Sequence, residues 1–442
     1  MNDTRHAYAG GRPVYICDGN RTPFLKAQGR PGPFRASDLA VAAGKALLAR
    51  QPFAPQALDE VILGCITPGP DEVNIARLVA LRLGCGKQVP AWTVQRNCGS
   101  GLQAIDSAAT DIAFGRAELV LAGGSEAMSH APLLLPPETV ALLGAWQQAR
   151  GWGARLRLLS RIRPAHFQPV FGLLQGLNDP TVNLSMGQTA EILAKRFVIS
   201  RAAMDSFACE SHRRLGRAHD QGWLEEIEPL YAPDGTVYDH DDGLRRDSSL
   251  ERLSKLKAAF DRPFGRVTAG NSAQVSDGAA LLILASEEAV QRHGLPVLGR
   301  IVDCHWAGVE PAQMGLGPVH ALAPLLLRQG LQTGDIDYWE INEAFAAQVL
   351  ACLAAWGSDD YARTELGLER AFAPIDPERL NLDGGAVACG HPVGTSGARI
   401  VLHLLQVLKR NRARRGVASL CIGGGQGGAM LLERSGEVGH DH

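Results

Sequence analysis

The stretch Thr93-Val94-Gln95-Arg96-Asn97-Cys98-Gly99-Ser100-Gly101-Leu102-Gln103-Ala104-Ile105 decides how the chain folds. A short β-favouring run, Trp92-Thr93-Val94, ends abruptly. After Cys98, apolar residues recur at Leu102, Ile105, Ala109, Ile112 and Ala113, the spacing of one helix face. Gly99 and Gly101 bracket Ser100, so a sharp turn and close packing are expected there. Cys98 then sits at the mouth of a helix, where free N–H groups and the positive dipole end favour a thiolate. That is the layout of a nucleophile. For a lone cysteine the commoner reading is a small buried apolar side chain, and the decision rests on what stands nearly three hundred residues downstream.

Working outward, strands and helices alternate. Residues 13–17 read as a first strand, Arg21-Thr22-Pro23-Phe24 as a turn, and Asp38–Arg50 as a helix capped by Ser37 or Asp38. Glu60–Gly64 and Glu118–Ala122 are short buried strands, and Asn74–Leu83 is a helix ended by Gly84. This rhythm predicts an α/β layered fold. It breaks from about Met128 to Pro263, then resumes with a strand at Ala279–Ala285 and a second α/β block from Gly299. In that block Tyr338–Ile341 is a strand leading through Asn342-Glu343-Ala344-Phe345 into a helix. Asn381–Gly397 is a glycine-rich loop, Ala398–Lys409 a helix, and Ala418–Ile422 a strand ending in Gly423-Gly424-Gly425. The two blocks echo each other. Ser100-Gly101 opens a helix whose following strand ends at Gly123-Gly124, and Ser396-Gly397 opens a helix whose following strand ends at Gly423-Gly424. Two related halves facing each other would gather their helix openings around one cleft.

Bulk properties narrow the function. The chain has 442 residues, 45% hydrophobic and 20% charged, with a formal net charge of −2. Its length predicts more than one domain: residues 13–298, including an irregular loop domain at about 128–263, and residues 299–434. The balanced charge argues against nucleic acid as a partner. Nine cysteines without a CxxC pair imply neither a zinc site nor a disulfide framework, and reduced thiols fit a cytoplasmic setting. No signal peptide or membrane span is expected. Residues 139–178 carry Arg150, Arg155, Arg157, Arg161 and Arg163 but no acidic residue, interleaved with Trp152, Leu156, Leu159 and Ile162. Such a segment suits peripheral membrane contact, a partner subunit or a phosphate-bearing ligand, or it is a solvated arm of the irregular region.

Four chemistry-bearing residues stand at strand ends or helix starts: Cys98, Asn342, His391 and Cys421. Together they offer a nucleophile, a base and a second thiol for acid/base work. The glycines after Cys421 leave N–H groups free to face a developing oxyanion.

Asn97-Cys98-Gly-Ser-Gly101, Gly123-Gly-Ser-Glu126, Asn342-Glu-Ala-Phe345, Gly384-Gly385, Gly390-His391-Pro-Val-Gly394, Ser396-Gly-Ala-Arg399 and Cys421-Ile-Gly-Gly-Gly425, in this order, resemble the thiolase family of acetyl-CoA acyltransferases. The resemblance covers roughly residues 13–434. It implies two facing βαβαβαββ halves in a five-layer α-β-α-β-α stack, with the loop domain over the CoA site. It implies ping-pong acyl transfer with coenzyme A and acyl-CoA as substrates and neither a metal nor a tightly bound cofactor. Cys98 would carry the acyl group, His391 would deprotonate it, and Cys421 would exchange the α-proton of acetyl-CoA. His391 and an Asn342-held water would polarise one thioester, and the N–H groups of Cys98 and Gly423 would hold the other oxyanion. Met186, Ser272 and Ala273 fall where the family contacts CoA. Family members are homodimers or homotetramers, and some act with a hydratase/dehydrogenase subunit.

The departures from the family pattern concern substrate choice. Ser185 stands before Met186-Gly-Gln-Thr-Ala-Glu191 where short-chain biosynthetic relatives usually show histidine, and Ala273 replaces a usual serine. The arginine-rich segment and Arg262–Thr268 are similar to β-subunits of fatty-acid-oxidation complexes, yet those usually carry histidine at Asn342 and an alanine-rich run after the last cysteine. Cys389, close to His391, fills space or makes the site oxidation-sensitive. The expected activity is thiolytic cleavage of 3-ketoacyl-CoA. The alternatives are condensation of two acetyl-CoA and a non-catalytic lipid-carrier or scaffold subunit.

Overall fold

The computed structural model describes Tyr8 and residues 10–435. Its centre is a continuous mixed sheet built twice from the same pattern. The strands are β1 (Val14–Arg21), β2 (Glu60–Gly64), β3 (Ala91–Val94), β4 (Leu119–Ala127), β5 (Ser276–Ser286), β6 (Gly299–Gly308), β7 (Tyr338–Ile341), β8 (Arg415–Ile422) and β9 (Gln426–Arg434). They lie in the order β7-β8-β9-β6-β1-β5-β4-β2-β3, with a short Leu25–Lys26 segment added to β5. In the first half β1–β5 and β5–β4 are antiparallel and β4–β2 and β2–β3 parallel. In the second half β6–β9 and β9–β8 are antiparallel and β8–β7 parallel, and a parallel bridge from Trp339 to Leu380 stands where the first half has β3. Even the irregularities repeat: the register slips once between Ile16 and Asp18 of β1 and once between Ile301 and Asp303 of β6. The halves meet where Val14–Ile16 pairs with Gly299–Ile301.

The apolar pattern explains the layering. Every residue of β4 and β5 is buried, as expected for strands covered on both faces. One outer core packs α1 (Ala36–Ala49) and α2 (Ile75–Arg82) against the first half through Leu39, Leu47, Val79 and Leu121. The central core holds α3 (Ser100–Ala113), whose Leu102, Ile105 and Ile112 meet apolar residues of both halves. The insertion between β4 and β5 supplies α4 (Met186–Arg196) and α5 (Arg201–Asp220). The other outer core uses α6 (Gly317–Arg328) and α7 (Ala346–Trp356). The last helix, α8 (Ser396–Arg410), lies beside α3 in the central layer through Ile400, Leu404 and Leu405. Helix, sheet, helix pair, sheet and helix give the five expected layers.

Two expectations need correction. β1 does not turn at Arg21 but continues through it. The Arg21 guanidinium is buried and bonded to Asp241 at 2.7 and 2.8 Å, and the Arg21 backbone N–H donates to the Glu226 carbonyl at 2.7 Å. A partner 220 residues away makes a buried charge tolerable inside a strand. The helix expected from Asp38 begins at Ala36, with Arg35 as the capping residue. Asp38 lies in its first turn and accepts the Arg35 N–H at 3.1 Å.

Within the insertion, residues 137–148 and 152–159 form helices with no buried residue. Trp152 is 78% and Leu156 61% exposed, so the arginine-rich segment is an arm held off the core. Among the described residues no helix is long and apolar enough to cross a membrane.

Candidate active site

The turn from β3 into α3 is built on Asn97, which takes a left-handed conformation at φ 43°. Asparagine tolerates this region better than other non-glycine residues. Ser100 locks the turn: its hydroxyl accepts the Arg96 N–H at 2.8 Å and donates to the Asn97 carbonyl at 2.7 Å. The sharp turn expected from the glycines is therefore made by Asn97, whereas Gly99 has an ordinary φ of −84°. The glycines provide the close approach. A Cβ on Gly101 would stand 2.9 Å from the Ala398 nitrogen and one on Gly99 2.7 Å from Ile422 Cδ1. Gly397 abuts Leu102 in the same way, so the two helix openings interlock at Gly101 and Gly397.

Cys98 emerges from this turn half-buried. Burial raises its thiol pKa, while the Gly423 N–H and its own N–H, both directed at the sulfur, pull it back. The net shift is upward, so the thiolate expected from the helix end alone does not form unaided: desolvation outweighs the dipole. Gly423 is fixed from the opposite half, because Asn97 Nδ2 donates to its carbonyl at 2.7 Å. Gly424 and Gly425, at φ 90° and 81°, bend the chain back into β9.

His391 is the candidate base named by the sequence. Its backbone is held by N–H donation to the Gln274 carbonyl at 3.1 Å. Nδ1 lies 2.6 Å from Ser396 Oγ, and that hydroxyl stands 3.0 Å from the Pro392 carbonyl. A carbonyl can only accept, so Ser396 donates to Pro392 and receives the imidazole Nδ1–H. The proton-free Nε2 is buried with no protein partner among the described residues. Burial, and then the Arg399 charge, lower the His391 pKa to about 4, so the ring is a neutral acceptor at physiological pH. Asn342 follows β7, fully buried, with Nδ2 3.5 Å from His391 Nδ1.

Cys421 lies in the last turn of the β8 ladder with no exposure. Burial first, and then the neighbouring Cys98 and Cys352, push its thiol well up, so it stays protonated near neutral pH.

Two buried carboxylates organise these loops without entering the reaction centre. Glu126, from the end of β4, accepts the N–H groups of Ile66 and Thr67 at 2.9 Å and of Gly394 at 3.0 Å. Glu343 accepts from Ser211 at 2.7 Å, Asn381 at 2.9 Å and the Val387 N–H at 3.1 Å, tying the Asn342 turn to the His391 loop. Both stood in the sequence motifs without a role. The signal available was a lone glutamate in an apolar, glycine-rich context, which must find donors when buried. Asn97 and Ser396 were likewise passed over. An asparagine just before the candidate nucleophile was the available sign of a left-handed turn.

A cavity of about 480 Å³ opens on Cys98, Asn97, Gly423 and Gly424 from one side and on Met128, Leu173 and Met186 from the other. Met186 lines this cavity and packs over Gly423, with Sδ 3.1 Å from where a Cβ there would stand. Ser272 and Ala273 do not line that cavity. Ser272 Oγ donates to the Thr268 carbonyl at 2.7 Å, and the Ala273 N–H to Ala344 at 3.0 Å. Cys389 is buried, its thiol pushed up to about 12 by desolvation, so it fills space. Among the described residues no group of side chains is arranged to hold a metal ion.

The thiolase N-terminal domain model matches residues 14–288 and the C-terminal domain model residues 295–434. A β-ketoadipyl-CoA thiolase of Pseudomonas aeruginosa is 42% identical over 96% of this chain and 99% of its own length. A 3-oxoadipyl-CoA/3-oxo-5,6-dehydrosuberyl-CoA thiolase of Escherichia coli K12 is 41% identical over 96% and 100%. Human mitochondrial 3-ketoacyl-CoA thiolase, solved with CoA, superposes with a TM-score of 0.81 at 36% identity, covering 96% of this chain and 98% of that one. The doubled sheet, the turn that presents Cys98 and the match to thiolases along nearly the whole chain assign the protein to the thiolase family, acyltransferases that work on CoA thioesters.

Proposed function

We propose that the chain cleaves 3-ketoacyl-CoA with CoA, giving acetyl-CoA and an acyl-CoA shortened by two carbons. The observation that carries this reading is a Cys98 thiol raised by burial in a fold whose buried, neutral His391 keeps an Nε2 without a protein partner among the described residues. His391 takes the Cys98 proton and the thiolate adds to the 3-keto carbon. The resulting alkoxide faces the N–H groups of Cys98 and Gly423; one such donor is typically worth about 3 kcal/mol in the transition state. Collapse breaks the Cα–Cβ bond, and the departing acetyl-CoA carbanion, its thioester oxygen polarised by His391 and a water on Asn342, takes the proton of Cys421. CoA then attacks the acyl-Cys98 thioester, returning its own proton to Cys421. Departing Cys98 recovers its proton from His391. In reverse the same groups condense two acetyl-CoA, with Cys421 removing the α-proton.

We read residues 13–298 and 299–434 as the two halves of one chain, and that chain as the protomer of a cytoplasmic homodimer or homotetramer. The exposed apolar residues of the 139–178 arm support assembly. Mixing the protein with a 3-ketoacyl-CoA and CoA and following the enolate absorbance tests the reaction. Decay with release of one acetyl-CoA per substrate is expected, and unchanged absorbance would favour a scaffold role.

A further inference from the structure

Among the residues lining the cavity beside Cys98, Asp179 is the one that carries a charge. It ends the first strand of a small ribbon, Asn178–Asp179 with Leu184–Ser185, that leads into α4. The side chain is 4% exposed. Its Oδ1 accepts the Thr181 N–H at 2.8 Å and the Thr181 hydroxyl at 2.6 Å. The Thr181 hydroxyl, and with it the N–H groups of Thr181 and Val182, hold the carboxyl below its usual range against desolvation, so it is ionised at neutral pH. The turn accounts for one oxygen only: Oδ2 is buried and has no hydrogen-bond partner among the described residues. The other cavity walls are apolar or neutral. Arg30 lines an adjoining cavity, across Met128, Gly172 and Leu173, and is itself exposed.

We infer that Asp179 is a specificity-determining residue that makes this cavity accept uncharged 3-ketoacyl tails and reject those ending in a carboxylate. The inference rests on the thiolytic reading for placing the acyl group at Cys98. An ω-carboxylate entering here would lose its hydration and meet a like charge with no cation on the wall. The inference thus predicts a substrate unlike those in the names of the ketoadipyl-CoA thiolases, relatives of about 40% identity.

The test compares 3-ketohexanoyl-CoA with 3-ketoadipyl-CoA, which have the same carbon count and differ at the terminal carbon. Like-charge juxtaposition predicts a kcat/KM ratio of about tenfold or more in favour of the hexanoyl substrate. In Asp179→Asn, which keeps an oxygen for Thr181, that ratio falls toward one. A wild-type enzyme that prefers or does not distinguish 3-ketoadipyl-CoA would overturn the inference, as would an unchanged ratio in the variant. Should neither substrate turn over, the thiolytic reading fails, but protection of Cys98 from alkylation still decides. Hexanoyl-CoA protecting at about tenfold lower concentration than adipyl-CoA supports the inference; equal protection refutes it.

Discussion

The two halves share a topology but end their equivalent strands differently. β4 runs through Gly123 and Gly124 to Ala127, paired with β5 to its end, and its terminal Glu126 is spent on holding loops. β8 stops at Ile422, and Gly423–Gly425 turn out of the ladder into β9, leaving the Gly423 N–H aimed at Cys98. The helix openings differ in the same way. At α3 a left-handed Asn97 presents a thiol; at α8 Ser396 orients an imidazole. In the mechanism we propose, one half supplies the nucleophile while the other supplies proton transfer and an oxyanion donor; interlocked glycines hold the two openings together.

Cys98→Ser would break this division most deeply. Thiolysis should fall by about 10⁴-fold or more, and no acyl adduct should appear by mass spectrometry. Cys421→Ala should separate the halves. Acylation by a simple acyl-CoA survives, while Cα–Cβ cleavage drops by about 10²- to 10⁴-fold in stopped-flow assays; equal loss of both steps would reassign Cys421. Asn97→Ala puts a Cβ residue in the left-handed region and removes the Gly423 anchor. A loss of about tenfold in kcat is expected, partly recovered in Asn97→Gly, which relieves only the strain. The smallest effect is on pH. His391 works as a base only when neutral, and its pKa is lowered to about 4. Acyl-enzyme formation should therefore persist well below pH 6.5, losing rate only as the pH falls toward about 4. An acid limb centred near 6.5 would mean that the imidazole is solvated rather than buried.

Much of this was legible in the sequence. Continuous apolar strands, helix-period patterns and the echo of Ser100-Gly101 in Ser396-Gly397 predicted the doubled α/β fold, because burial on both faces leaves a strong local signature. Cys98, Asn342, His391 and Cys421 stood out because each sits at a strand or helix end in a glycine-rich context. What failed was non-local. Arg21 looked like a turn residue because Asp241 is distant in the chain. The thiolate expected at Cys98 neglected desolvation, which only three-dimensional packing reveals. The hydrogen bond of Ser272 Oγ to the Thr268 carbonyl within its own loop was likewise not legible from the motif.

The most direct test is to mix the protein with a 3-ketoacyl-CoA in the absence of CoA, quench, digest and locate the adduct by mass spectrometry. The division of labour between the halves predicts a single acyl group, two carbons shorter than the substrate's, on Cys98, with one acetyl-CoA released. An adduct on Cys421, or acetyl-CoA release without any adduct on Cys98, would contradict it.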